Sequence, residues 1–160
     1  MAIVAGDLDF FLSSNSGSTG GAISATELNG SLHQVFDIVS SAEASSGDTE
    51  YRCVYLKNSA AQQALNAVVW QSADGNADCV TEIGLGTSAI GGTEQTIADE
   101  DTAPAGVTFS AAGSEGAALS IGTIPAGSHK AVWIKRTVSA AASAASNVTT
   151  TLEFKVDTEA

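Results

Sequence analysis

The chain has 160 residues, of which 44% are hydrophobic, so it can build one domain with its own core and is not disordered throughout. Only 15% of its residues are charged, and 18 acidic side chains against six basic ones give a formal net charge of −12 at pH 7. Because nucleic-acid binding relies on Lys and Arg contacts with phosphates, this balance excludes DNA and anionic membranes as expected partners.

The N-terminal arm, about residues 1–25, opens with an apolar cluster formed by Leu8, Phe10, Phe11 and Leu12. A Gly- and Ser-rich stretch follows at 13–21, and this composition is typical of a flexible tether. Two adjacent phenylalanines this near a terminus must pack on something. They either cover the sheet of their own domain or dock on a neighbouring subunit, and in the second case these four residues are candidate protein contacts.

The transitional segment at 26–48 has a mixed pattern. Ser24 and Glu27 have the spacing of a helix capping box. The apolar residues that follow are spaced like one helix face and are Leu28, Leu32, Val35, Phe36 and Val39. The pattern predicts one short helix, which Gly30 weakens, and the tail at 35–39 fits a first strand equally well. A turn at 47–48 ends the segment.

The third region, residues 49–160, has the pattern of short strands separated by turns, with no internal repeat. In the last of these strands Leu152, Phe154 and Val156 alternate with polar residues, which is the clearest strand pattern in the chain. A polar, acidic loop at 87–106 has room for a further short strand at 95–97. The predicted strands lie at 51–58, 65–71, 79–85, 107–110, 119–124, 129–138 and 149–157.

This strand pattern predicts an all-β protein with a single β-sandwich domain. The immunoglobulin-like form is the first choice, because Trp70 lies on a strand that follows Cys53, and a jelly roll is the alternative. The predicted organisation is therefore an arm at 1–25, a transitional segment at 26–48 with room for a short helix, and a sandwich at 49–160.

One predicted strand is apolar on both faces. Ala131 and Trp133 point one way, and Val132 and Ile134 point the other. A sheet with one wet face alternates apolar and polar residues, so something has to cover the outer face of this strand. The arm, the helix or another chain would serve, and Val132 and Ile134 are therefore two further candidate protein contacts.

Residues of the kinds used in catalysis and metal binding are sparse. His33 and His129 have no second ligand nearby in the sequence, and we interpret both as surface or capping residues. Cys53 and Cys79 form no C-x-x-C pair, and buried free thiols are favoured over a disulfide bridge. We expect no catalytic residue, no cofactor and no metal.

Two acidic motifs contain carboxylates of the kind that bind calcium. Asp74, Asn76 and Asp78 match the first three ligand positions of a calcium loop, but Cys79 and Leu85 stand where Gly and Glu are needed. We interpret this motif as a hairpin turn. The acidic run at 99–101 is interpreted as a solvated loop, and contact with Ca²⁺ or a basic partner is the less favoured alternative.

The sequence also bears on localisation. No run reaches the roughly 20 apolar residues of a membrane helix. Residues 1–5 lack the basic and apolar regions of a secretory signal. We expect a protein made in a cytoplasm and released by lysis.

Six runs are specific as a set and cover most of the chain from the arm onward. They are GDTEYRCVYLKN at 47–58, VVW at 68–70, TIADE at 96–100, APAGVTFS at 103–110, LSIGTIPAG at 119–127 and KAVWIKRT at 130–137. Together they resemble a family of small structural proteins encoded among the head and tail genes of tailed bacteriophages. The resemblance implies a virion protein, brings no catalytic residues and does not separate head from tail.

The resemblance, the acidic β-domain, the apolar arm and the two-faced strands together favour a decoration or cement protein on the capsid exterior, made in the host bacterial cytoplasm. Its expected partners are the major capsid protein, whose neighbouring subunits it would bridge, and further copies of itself in a homo-oligomer. A tail, neck or fibre-associated structural protein is the alternative. A binding module for a host-surface glycan, with 74–78 and 87–106 as its site, is the second alternative, and an enzyme is not expected.

Overall fold

Ten β-strands and one short α-helix form the regular structure in a computed structural model that describes residues 2–73, 76–145 and 148–158. The helix, α1, spans Ser41–Ser46, and single 3-10 turns lie at Ala5–Asp7, Ser16–Ser18 and Glu115–Ala117. The strands are β1 (Leu8–Ser13), β2 (Gly20–Gly21), β3 (Ile23–Glu27), β4 (Asp48–Asn58), β5 (Ala64–Ala73), β6 (Cys79–Leu85), β7 (Glu94–Thr96), β8 (Leu119–Ile124), β9 (His129–Val138) and β10 (Thr150–Asp157).

Two antiparallel sheets face each other across the main core. The first has the strand order β3-β1-β4-β9-β6 and the second has the order β10-β5-β8, while β2 and β7 form a separate two-stranded ribbon. The predicted all-β, sandwich-like fold is confirmed.

The strand predicted at 107–110 is wrong. Only Ser110 pairs there, in an isolated bridge with Ile83. The side chains of Val107 and Phe109 cover a sheet face instead.

The strands β4 and β9 form the centre of the first sheet and bury both of their faces. Their register pairs Cys53 with Trp133 and Val54 with Val132. The two valines face the second sheet, and a large aliphatic side chain buried in this way contributes roughly 1.5–3 kcal/mol relative to exposure. The other buried members of this core are Leu8, Phe10, Leu56, Ala64, Ala67, Val69, Ile83, Ala112, Ile124 and Ile134.

The outer face of the first sheet is covered by the region that follows β6. A second core there contains Cys53, Tyr55, Ile97, Ala131 and Trp133, with Ile23, Tyr51, Val107 and Phe109 packed against it. The chain therefore covers its own outer face, mainly with residues 97–109. The sequence left the arm, the helix or another chain as the segment that covers this face. Of these, the arm covers a part of it, through Ile23 of β3.

The N-terminal arm is built into this fold as strands. β1 pairs with β4 along the run from Leu8 to Leu12. The predicted tether at 13–21 contains β2, which pairs with β7. Gly20 has a φ of 98°, and a Cβ atom there would lie 2.0 Å from the carbonyl oxygen of Gln95. The prediction of a flexible tether is wrong, because its glycines allow a close backbone pairing that no side chain permits.

The helix predicted from the 24–39 pattern is also wrong. The two residues predicted as its capping box lie in β3, and Gly30 and His33 have φ values of 77° and 60°, which a right-handed helix does not tolerate. A capping box is present further on, where Ser40 Oγ accepts from the Glu43 N–H at 3.2 Å and Glu43 Oε2 accepts from the Ser40 N–H at 2.7 Å. It starts α1, the one short helix of the described chain.

Candidate functional site

Three charged side chains lie on the inner face of the first sheet, in the rows that elsewhere carry core residues. Glu50 and Arg52 occupy alternate positions of β4, and Arg136 of β9 lies opposite Glu50. Their exposed fractions are only 2%, 3% and 7%. A buried charge is costly unless it is paired, so the partners of these three residues decide what this part of the molecule does.

The three side chains form the arginine cluster, which also includes Asp37 and Glu100. Arg136 donates from Nε to the Glu50 carboxylate and forms a salt bridge with it through Nη2. Arg52 forms a salt bridge with Glu100 and lies 3.4 Å from Glu50 Oε1. Glu50 therefore bridges the two guanidinium groups. The acidic run at 99–101 has its basic partner within the chain.

A segment that we call the strap, residues 28–40, crosses the arginine cluster. Arg52 Nε donates to the carbonyl oxygen of Val35 at 3.1 Å, and Arg136 Nη1 donates to that of Asp37 at 2.9 Å. The Phe36 ring lies over both guanidinium groups, with its centroid 5.5 Å from Arg52 Cζ and 4.7 Å from Arg136 Cζ. The two arginines therefore hold the strap against the first sheet.

The carboxylates of the cluster also have the spacing of a metal site. Oxygen atoms of Asp37, Glu50 and Glu100 lie within 4.8 Å of one another. The same carboxylates are bound by the two arginines, and Asp37 Oδ1 lies 3.9 Å from Arg52 Nη2 and 3.4 Å from Arg136 Nη2. A cation would have to displace a guanidinium group, so we interpret the cluster as an ion-pair network that fixes the strap.

The charge of the cluster depends on pH. Burial raises the pKa of Glu50 to about 7, against the opposing effect of Arg136 and Arg52. With Glu50 protonated, the carboxylates of Asp37 and Glu100 balance the two guanidinium groups. With Glu50 ionised, the cluster holds one excess negative charge.

An open groove with a volume of about 1350 Å³ runs between the strap and β10. The strap wall carries Leu32 and Ile38, which are 61% and 67% exposed, and the β10 wall carries Leu152 and Phe154. Within the described part of the chain, β10 has a paired neighbouring strand on one side only, namely β5. The groove is therefore an apolar surface beside an unpaired strand edge, and it is the candidate binding site of this protein.

The six residues predicted from the sequence as protein contacts lie largely inside the chain. Phe11 and Leu12 are half-buried, and the Lys57 ammonium lies 5.1 Å from the centroid of the Phe11 ring. Two of the six, Phe10 and Ile134, also reach the floor of the groove. Four are buried in the core between the sheets, namely Leu8, Phe10, Val132 and Ile134. Of the large apolar side chains that are exposed, Leu32 and Ile38 line the groove, whereas Val4 of the arm and Val80 of β6 do not.

The cysteines and histidines do not form a common site in the described residues. Cys53 is buried and Cys79 is half-buried, and no disulfide bond joins them. Burial raises the pKa of the Cys53 thiol. The His129 ring packs edge-on against Tyr55 with centroids 5.0 Å apart, and burial lowers its pKa. His33 is exposed on the strap.

The acidic motif at 74–78 lies in the sequence between β5 and β6. Asp74 lies outside the described residues. Asn76 Oδ1 accepts from the Asp78 N–H at 2.8 Å, and Asp78 Oδ2 accepts from the Ser143 N–H at 3.0 Å. Because β5 belongs to the second sheet and β6 to the first, the motif does not join two paired strands, and the prediction of a hairpin turn is wrong.

Every Lys and Arg side chain has a partner within the chain. The described salt bridges use only Asp37, Glu50, Glu82, Glu100 and Glu115 among the acidic side chains. The charge that no salt bridge compensates is therefore mostly negative. Besides the two arginines, the pairs are Lys57 with the Phe11 ring, Lys130 with the carbonyl oxygens of Gly86 and Ser88, Lys135 with Glu82, and Lys155 with Glu115.

Sequence reasoning missed the arginine cluster and the strap, although part of the signal was present. Glu50 and Arg52 fall on the same face of their strand as Val54 and Leu56, and charged residues in a core row need a covering partner. The identity of that partner was not visible, since Asp37 and Arg136 are 99 positions apart in the sequence.

Comparisons of the chain with family models, with curated proteins and with solved structures found no match. Among the described residues, no helix has the length and apolar character needed to cross a membrane.

Proposed function

We propose that this chain is a non-enzymatic structural protein of a tailed-phage particle, which binds the capsid exterior and bridges neighbouring copies of the major capsid protein. The observation that carries the proposal is the open apolar groove beside the free edge of β10, set in a chain with a formal net charge of −12. Such a surface suits stable contact with another protein. The resemblance of the six sequence runs supports a virion as the place where that protein is found.

Hydrogen bonds from the side-chain amides of Gln71 and Asn58 connect the two sheets and support a structural role. Gln71 Nε2 of β5 donates to the carbonyl oxygens of Thr81 and Ala111 at 2.6 and 2.9 Å, which joins the second sheet to the first. Asn58 Nδ2 of β4 donates to the carbonyl oxygen of Ile124 at 3.0 Å and makes the same connection at β8. These donated hydrogen bonds between the two sheets favour one arrangement of the sheets, which suits a protein that resists pressure on a shell.

Repetition of the groove contact over the capsid surface would make the overall binding strong. A single groove contact is small, but a capsid repeats it over its whole surface, so an assembled shell holds each subunit far more firmly than one contact does. A chain that touches two capsid subunits at once gains further, because the second contact forms at high effective concentration.

The copy number of this chain in purified particles tests the proposal. Quantitative mass spectrometry would compare it with the major capsid protein. A copy number similar to that of the capsid protein is the expected result. A few copies per particle would move the chain to the tail, neck or fibres, and complete absence would reject a virion role.

A further inference from the structure

The unpaired edge of β10 borders the groove directly. Thr150, Thr151 and Leu152 are consecutive and all line it, so the backbone between them borders it as well. In the described residues the backbone of this strand pairs with β5 and with no second strand. A free edge beside apolar side chains is the arrangement that binds an extended segment by strand addition.

The strap provides the opposite wall for such a segment. Successive side chains of a strand point to opposite faces, so every second side chain of an added strand would turn towards the interior of the groove. There it meets Leu152 and Phe154 on one side and Leu32 and Ile38 on the other. The occupant that fits is therefore a strand with apolar residues at alternate positions.

The charges around the groove define the occupant further. Arg136 is the one Lys or Arg among the described lining residues, and it is buried and paired with Glu50. The acidic side chains in the lining are Asp9, Asp37 and Asp78, and the Asp37 side chain is 69% exposed although it also forms salt bridges with Arg52 and Arg136. A segment with Lys or Arg beside its apolar residues complements this rim.

A second copy of this chain does not meet that requirement. Each copy carries a formal net charge of −12. Four of its six Lys and Arg side chains already form salt bridges within their own chain, Lys130 donates to carbonyl oxygens and Lys57 is half-buried against the Phe11 ring, so a second copy has little basic charge to offer the rim. Charge repulsion between copies favours a different protein as the occupant.

We propose that the groove binds an extended, Lys- or Arg-bearing segment of a partner protein, which adds to β10 as a strand and packs its alternate apolar side chains between β10 and the strap. This inference deepens the proposed function, in which the capsid protein would supply the segment. Groove binding is nevertheless measurable without particles.

A peptide titration of the full chain tests the inference. The probe is a capped peptide of about nine residues with Val or Leu at alternate positions and Lys in the remaining ones, added up to about 1 mM. Amide chemical shifts are expected to move at β10 and in the strap. The same peptide with Glu in place of Lys is expected to bind at least about tenfold more weakly. Two further peptides carry N-methyl groups on alternate backbone amides, one peptide at the odd-numbered residues and the other at the even-numbered residues. One of the two is expected to lose binding, because strand pairing needs the N–H groups that face β10.

Matched variants locate the site. The double variant Leu32→Ser, Ile38→Ser is expected to weaken peptide binding by about tenfold or more, because both side chains are exposed and contribute contact area rather than fold stability. Val80→Ser is the control, since Val80 is an exposed apolar residue of β6 that does not line the groove. Thermal midpoints of both variants should equal that of the unchanged chain.

Each opposite result overturns the inference. These results are no shift at the highest peptide concentration, equal binding of the Glu peptide, unchanged binding by both N-methylated peptides, or unchanged binding by the double variant. The proposed function fails separately: particles that lack the chain reject it even if the peptide binds, whereas abundant chain in particles without peptide binding removes only the groove inference.

Discussion

The hydroxyl oxygen of Tyr55 accepts a hydrogen bond from the backbone N–H of Glu94, with 3.0 Å between the two atoms. The same hydroxyl group donates to the carbonyl oxygen of Gly21. Tyr55 is fully buried on the outer face of β4, so one phenol joins the ribbon of β2 and β7 to the first sheet. Burial raises the pKa of Tyr55 to about 12, which keeps the hydroxyl protonated as a donor at neutral pH.

Replacing Tyr55 by Phe is expected to destabilise the chain by about 1–3 kcal/mol, because the buried N–H of Glu94 and the partly buried carbonyl group of Gly21 lose their partner. Urea denaturation would measure the loss, and hydrogen exchange would show faster exchange at 94–96. Tyr51→Phe is the control, since no hydrogen bond of its hydroxyl group is present among the described residues. Equal stability of the two variants would contradict the role given to the Tyr55 hydroxyl.

The approach of Gly20 to Gln95 predicts a second loss of stability. Gly20→Ala is expected to cost about 2 kcal/mol or more, because its φ of 98° disfavours a side chain and the new Cβ atom would meet a carbonyl oxygen. Gly113→Ala is the matched control, since a Cβ atom there meets nothing within 4 Å and its φ is not positive. Thermal unfolding of both variants measures the difference. A Gly20→Ala midpoint equal to that of the control would show that the ribbon is dispensable.

The Phe36 ring over Arg52 and Arg136 predicts a local effect on the strap. Phe36→Leu keeps an apolar side chain but removes the aromatic face, with an expected cost of about 1 kcal/mol. Limited proteolysis is expected to cut the variant faster within 28–40. Leu32→Ala serves as control, because Leu32 lies in the same segment and is 61% exposed. Equal cutting rates would mean that the arginines do not hold the strap through this ring.

The raised pKa of Glu50 predicts a pH dependence near neutrality. Its ordinary value is 4.5 and its folded value is about 7, so the folded chain binds this proton more tightly than the unfolded chain. The resulting stabilisation is complete below pH 4.5 and is lost as the pH rises through 7. Glu50→Gln should therefore show a smaller fall in thermal midpoint between pH 5 and pH 8 than the unchanged chain does. His129 is present in both proteins, so the difference between their two curves of thermal midpoint against pH reports on Glu50 alone. Parallel curves would contradict the raised pKa of Glu50.

The lowered pKa of Glu94 predicts a loss of stability on the acid side of the pH-stability curve. Burial alone would raise its pKa, but hydrogen bonds from Ser88 and Thr87 outweigh burial and lower the pKa to about 2. The stabilisation from this carboxylate is present above pH 4.5 and is lost as the pH falls towards 2. Glu94→Gln is expected to flatten the acid side of the stability curve and to leave the side between pH 5 and pH 8 unchanged. An unaltered acid limb would contradict this.

The place of the arm in the first sheet decides which residues can be changed to test docking. Residues 8–13 form a strand between β3 and β4, and Leu8 and Phe10 lie in the core. Deleting residues 2–12 would therefore remove part of the sheet, and a loss of particle binding would report on folding. Exposed groove residues such as Ile38 are the better positions for testing docking.

Local patterns in the sequence were sufficient to predict much of the fold. The alternation of Leu152, Phe154 and Val156 marks β10, and the double apolar pattern around Trp133 correctly required cover on both faces. Two further predictions failed at 13–40, where Gly- and Ser-rich composition suggested a tether and a 3.6-residue spacing suggested a helix. Both signals are local, and both were overridden by contacts with distant strands.

By itself, the sequence determined the strand periodicity, the acidic charge and the need to cover both faces of β9, because these depend only on the order and type of neighbouring residues. Tertiary structure alone decided the strand order, the capture of the strap by Arg52 and Arg136, and the open edge of β10. The physical reason is that periodicity reports which side of an element is buried but not what buries it. That partner is selected by packing and charge between residues far apart in the chain, as Asp37 and Arg136 are.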